Sequence, residues 1–177
     1  STPDEFMTSS DMTDARRRAI IRLQLAVSYM ERDQLEIALD EAKRAVAADP
    51  GYSAAYNVRG LIYNQLGDKK MAEESFRRAV ATNARDGDAQ HNLAFALCEQ
   101  GHYAQAQQFF EAALANPLYR NKERTQVAQA VCESRAGNIA TAETLLLSAY
   151  EDGSRSPVVA NALANIYYQQ QNYRRAA

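Results

Sequence analysis

The 177 residues predict an all-α fold of antiparallel helix pairs, and three observations predict it. A set of small, aromatic and turn residues recurs with glycines such as Gly67 and Gly101 spaced 34 residues apart. Alanine, the strongest helix former and small enough to let helices approach closely, occurs 33 times. Only 7 Gly and 4 Pro interrupt the chain, and its mean hydropathy of −0.49 describes a folded rather than a membrane-spanning sequence. No apolar run reaches the 18 or so residues a spanning helix needs, and Ser1–Ser10 has no signal-peptide pattern.

Five repeats can be written in order. The first, from about Ala19, carries Ala26, Tyr29, Ala38, Ala42, Ala45 and Asp49-Pro50. The second, from Ser53, carries Tyr56, Gly60, Tyr63, Gly67-Asp68, Ala72, Phe76 and Ala79. The third, from Gly87, has Leu93-Ala94, Leu97, Gly101, Ala106, Phe110 and Ala113, and then a two-residue insertion after Asn116-Pro117. The fourth, from Glu123, keeps Ala130, Gly137-Asn138, Ala142, Leu146 and Ala149 but places Glu133 where an aromatic or leucine is expected. The fifth, from Pro157, keeps Leu163-Ala164, Tyr167, Asn172-Tyr173 and Ala176.

The first helices present Ala26, Gly60, Ala94, Ala130 and Ala164 at one slot, and the second helices Ala38, Ala72, Ala106, Ala142 and Ala176 at another. Small side chains at both slots let paired helices close to about 8–10 Å between axes. Gly67, Gly101 and Gly137 end helices where a left-handed residue is needed, and Asp33, Asp68, Asn138 and Asn172 suit the turn or the next N-cap. Residues 1–14 read as a flexible tether and 15–177 as the array, with a truncated last repeat that leads us to expect more protein after Ala177.

Chemistry is sparse. A net charge of −2 gives no field to hold nucleic acid. His91 and His102 have no metal-ligand spacing, and no phosphate loop, nucleophile elbow or opposed carboxylate pair exists, so neither metal, cofactor nor catalysis is expected. Ser28, Ser75 and Ser148 read as ordinary helix residues, and Arg16-Arg17-Arg18 as a solvated face rather than a lipid-headgroup patch. Cys98 and Cys132 are too few for a zinc site and can form one bridge or none.

The repeat resembles the tetratricopeptide repeat, which implies a right-handed superhelical solenoid with a groove lined by the first helices. Carried onto this chain, the groove positions are Ile20, Leu23, Val27, Met30 and Glu31 in repeat one, Ala54, Asn57, Leu61, Asn64 and Gln65 in repeat two, and Asp88, His91, Phe95, Cys98 and Glu99 in repeat three. The candidate partner-binding residues are therefore Leu23, Val27, Met30, Asn57, Leu61, Asn64, His91 and Phe95. The apolar opening third suits an aliphatic partner segment, unless residues 8–18 fold over it as a cap. Leu23 and Val27 occupy slots where carboxylate-clamping members of this class carry Lys and Asn, which disfavours such a clamp.

Leu25-Ala26-x-x-Tyr29-Met30, Asn92-x-x-Phe95-x-x-Cys98, Ala115-Asn116-Pro117-x-Tyr119 with its insertion, and Cys132 before Gly137 resemble the PilF/PilW lipoproteins of type IV pilus biogenesis. The resemblance implies a periplasmic, pilotin-like assembly factor. It would sit at the inner face of the outer membrane through a lipid anchor absent from this chain, and bind the secretin PilQ or a pilus component. In an oxidising periplasm, a Cys98–Cys132 bridge would staple repeats three and four, worth about 3.5–4 kcal/mol at most from loop-closure entropy; two buried thiols are the alternative. Another protein-binding adaptor, or an accessory domain of a larger enzyme, remains the competing expectation.

Overall fold

The computed structural model describes residues 9–153 and 155–176, with the side chains of residues 9–13, Tyr173 and Ala176 outside the described set. The described residues form nine α-helices and no strand: α1 (Ser9–Glu31), α2 (Leu35–Ala48), α3 (Ser53–Gln65), α4 (Lys69–Thr82), α5 (Gly87–Glu99), α6 (Tyr103–Ala115), α7 (Lys122–Arg135), α8 (Ile139–Asp152) and α9 (Pro157–Ala176). The chain divides into two compact halves, one ending at Ala89 and one beginning at Gln90, so that the first turn of α5 belongs to the former.

The hairpin turns share one hydrogen-bond scheme. Gly67 N–H donates to Asn64 O (3.0 Å) and Asp68 N–H to Tyr63 O (2.9 Å), and the same pair of bonds recurs after α5 and α7. Two overlapping bonds of this kind close a helix around a left-handed residue. That residue is Gly67, Gly101 or Gly137, with φ of 82°, 83° and 89°. In repeat one the position is Asp33, φ 61°, so Asp33 terminates α1 and Gln34 becomes the N-cap of α2. Asp68 does cap, accepting from Met71 N–H (3.1 Å). Asn138 does not cap; its Nδ2 donates to Glu133 Oε2 (2.8 Å), so the acid at the expected aromatic position braces the turn.

In the N-terminal half, Ala26, Ala38 and Ala42 are fully buried with Ile62, and Tyr29, Met30, Leu39 and Val58 pack around them. Leu23, Ala45 and Ala55 form a second cluster. Gly60 explains its own identity: a Cβ there would lie 2.4 Å from the Phe76 ring, which is wholly buried against it. In the C-terminal half one cluster joins Ala130, Ala142, Leu146 and Ala149 to Val159, Leu163 and Ile166 of α9.

Three expectations change. The first helix begins at Ser9, so residues 9–14 are helical rather than tether; Ser1–Thr8 lie outside the described residues. Because α1 is one continuous helix, residues 9–18 extend it and cannot fold back over its own groove face. The fifth repeat does not turn at Asn172-Tyr173: α9 runs straight through Ala176. Gln171 stands in the slot that Gly67, Gly101 and Gly137 fill, and continuing the helix costs less than a left-handed Gln. Ala164 is exposed, while Ala26, Gly60, Ala94 and Ala130 at the same slot are buried. Among the described residues no helix of α9's own repeat returns to cover it.

Candidate partner-binding cleft

The first repeat builds a cleft of about 340 Å³ along α1, lined by Ile20, Leu23, Gln24, Val27, Ser28, Glu31 and Tyr52. Six of these residues follow the i, i+3, i+4 spacing that keeps side chains on one helix face. Tyr52, the residue before α3, supplies the aromatic wall. Its ring is held by Arg16, whose guanidinium lies 4.5 Å from the ring centroid. Arg16 Nε also donates to Asp49 Oδ2 (2.6 Å) and its terminal nitrogen to Gly51 O (3.3 Å). Arg16 therefore fixes the α2–α3 connection, and Arg17 pairs with Asp14 (3.1 Å), so two of the three consecutive arginines are engaged within the fold.

The cleft brings together Ile20, Leu23, Val27 and Glu31 from the expected stripe, and the structure corrects several of their neighbours. Leu23 is only 8% exposed and packs with Ala45 and Ala55, so it forms the floor of the cleft as much as its lining. Met30 turns into the α1–α2 cluster instead of the cleft. Asn57 is buried, Leu61 is half-buried, and neither lines the cleft; Asn64 is half-buried, with an Oδ1 that finds no hydrogen-bond donor among the described residues. Gln24 and Ser28 stand on α1 beside the five groove slots of its repeat, and Tyr52 lies outside the first helices altogether, so the slot pattern names none of the three. An aromatic directly after Asp49-Pro50-Gly51 was the signal for Tyr52.

In the C-terminal half His91 is neither a free groove residue nor a solvated one. It is buried; its Nδ1 lies 2.8 Å from Thr125 Oγ1, and its ring meets Phe110 edge-on at 6.1 Å. Tyr119 OH lies 2.8 Å from the same Thr125 oxygen, so one hydroxyl links the insertion, α5 and α7. Phe95 is half-buried under the Arg135 guanidinium, 5.9 Å from its centroid. Cys98 and Cys132 are joined in a disulfide across α5 and α7, with Cα atoms 5.8 Å apart. No group of His, Cys, Asp and Glu among the described residues could hold a metal ion.

The tetratricopeptide-repeat pattern matches residues 23–89 and, in a second form of the same repeat, residues 87–115. The chain belongs to the tetratricopeptide-repeat family. A repeat-containing protein of Pseudomonas aeruginosa is 32% identical over 72 residues, 41% of this chain and 69% of that protein. The type IV pilus assembly protein PilF of the same organism is 24% identical over 151 residues, 85% of this chain and 60% of PilF. The crystal structure of PilW, a type IV pilus biogenesis factor, superposes with a TM-score of 0.78 at 26% identity, covering 85% of this chain and 69% of PilW. This tetratricopeptide-repeat chain is thus homologous to pilus biogenesis proteins, and spans 60–65% of the length of the first curated relatives it matches.

Proposed function

We propose that the chain is a non-enzymatic, pilotin-like assembly factor of type IV pili. It works in the periplasm at the outer membrane and binds the secretin PilQ or a pilus component through the α1 cleft. The similarity to PilF along 85% of this chain carries the assignment to pilus biogenesis. The cleft supports a partner with aliphatic side chains, since Ile20, Leu23, Val27 and Tyr52 form its apolar surface and no cation stands at the Leu23 and Val27 slots. A disulfide suits an oxidising compartment.

The test uses the gene's own host. Deleting the gene should remove secretin multimers from outer-membrane fractions and pili from the surface. Ile20→Asp with Val27→Asp should fail to restore them while keeping helicity and melting temperature, because Ile20 is exposed and Val27 half-buried. Leu23 is unsuitable for this purpose, since its burial couples binding to folding. Normal secretin assembly together with normal piliation in the deletion strain would overturn the assignment.

A further inference from the structure

Between α6 and α7 the two-residue insertion forms a rigid turn with an apolar tip. Leu118 is 78% exposed, more than any other large hydrophobic residue described. Its exposure is built in. Leu118 N–H donates to Asn116 Oδ1 (3.0 Å) and Tyr119 N–H to Asn116 O (3.1 Å), so the turn is closed on itself. The next side chain, Tyr119, is buried and tied to Thr125, which forces its neighbour outward. Cations follow immediately. Arg120 and Lys122 make no ion pair among the described residues, and Arg124 is exposed. The one acid of the segment, Glu123, accepts from Ser156 Oγ (2.7 Å). A chain of net charge −2 thus carries a locally positive turn with a single aliphatic side chain at its point.

We infer that the 117–124 segment docks on an anionic lipid surface, Leu118 entering the headgroup region while Arg120 and Lys122 meet the phosphates. A bilayer interface accepts a projecting apolar group collared by cations, the apolar group entering the headgroup region and the cations meeting its phosphates. This contact is separate from any N-terminal anchor and does not depend on what the α1 cleft binds.

The chain contains no tryptophan, so Leu118→Trp introduces a unique reporter. Mixed with phosphatidylglycerol/phosphatidylethanolamine vesicles, its emission should shift to the blue and be quenched by brominated lipid, while Leu147→Trp on α8, 41% exposed, should not respond. In vesicle co-sedimentation, Leu118→Asp, and separately Arg120→Glu with Lys122→Glu, should each weaken binding of the otherwise wild-type chain roughly ten-fold or more, and 0.5 M salt should do the same. Circular dichroism of each variant checks that folding is retained. Three results would overturn the inference: no binding of the wild-type chain to these vesicles, equal binding to phosphatidylcholine alone, or unchanged emission from the Leu118→Trp variant. Capture by immobilised polyglutamate that Leu118→Asp leaves unchanged would assign the turn to an acidic polypeptide instead, and would also overturn it.

Discussion

The two halves of the chain carry the same repeat and are held together differently. Up to Ala89 the core is close packing of small residues, with Gly60 seated on Phe76 and alanines at zero exposure between α1, α2 and α3. From Gln90 onward the same architecture carries a disulfide and a buried His91–Thr125–Tyr119 network in addition to its core. The second half also contains the two-residue insertion and ends in the long α9. Where spacing and turns depart from the repeat, specific polar and covalent links are added to the repetitive packing.

Breaking the crosslink should have the largest effect. Cys98→Ser with Cys132→Ser should lower stability by up to about 3.5–4 kcal/mol, read from denaturant unfolding. Hydrogen exchange should rise in α5 and α7 and stay unchanged in α1–α3; a uniform rise would show that the halves are not separately held. The converse experiment is Gly60→Ala, which drives a methyl into the Phe76 ring. It should cost about 1–3 kcal/mol and raise exchange in α3 and α4. Thr125→Val keeps the volume but removes the bridging hydroxyl from Tyr119 and His91, and should cost about 1–3 kcal/mol by thermal or urea unfolding.

Two smaller changes sharpen the comparison at the turns and at α9. Asp33→Gly gives repeat one the glycine the other turns already have, and should gain about 0.5–1 kcal/mol. Tyr167 on α9 is held above its ordinary value of 10.0, first by partial desolvation and then by Glu143 on α8, through its charge and a hydrogen bond to the phenol. The neutral phenol is the form the fold favours. Its contribution is therefore complete below pH 10.0 and is lost as the pH rises, when the unfolded chain ionises first. The phenolate absorbance of Tyr167→Phe, subtracted from wild type, should reveal a group titrating later than free tyrosine.

Much of this was legible without coordinates. The glycine turns, the starts of α3, α5, α7 and α9 at or next to Ser53, Gly87, Glu123 and Pro157, and the apolar stripe of repeat one all follow from periodicity. The candidate site was legible only in part. Helix position gave Ile20, Leu23, Val27 and Glu31, but periodicity cannot show that Leu23 is buried as the floor of the cleft, nor that Met30 turns into the next helix instead. Nor can it show that a polar residue in a groove slot, His91, has a buried hydroxyl waiting 34 residues later.

Sequence by itself determined the repeat, its small-residue slots and the left-handed closures, because these are local conditions that backbone sterics and helix spacing impose on each segment. Tertiary structure decided which slots were used. Ala130 is buried because α8 packs back against α7, whereas Ala164, the same residue at the same slot, is exposed where the described residues bring no second helix of its repeat against it. Likewise Leu118 projects because Tyr119 beside it is buried and tied to Thr125 of α7, which also meets His91 of α5. A side chain's burial is a property of its neighbours, and those neighbours arrive on other helices, which no local pattern specifies.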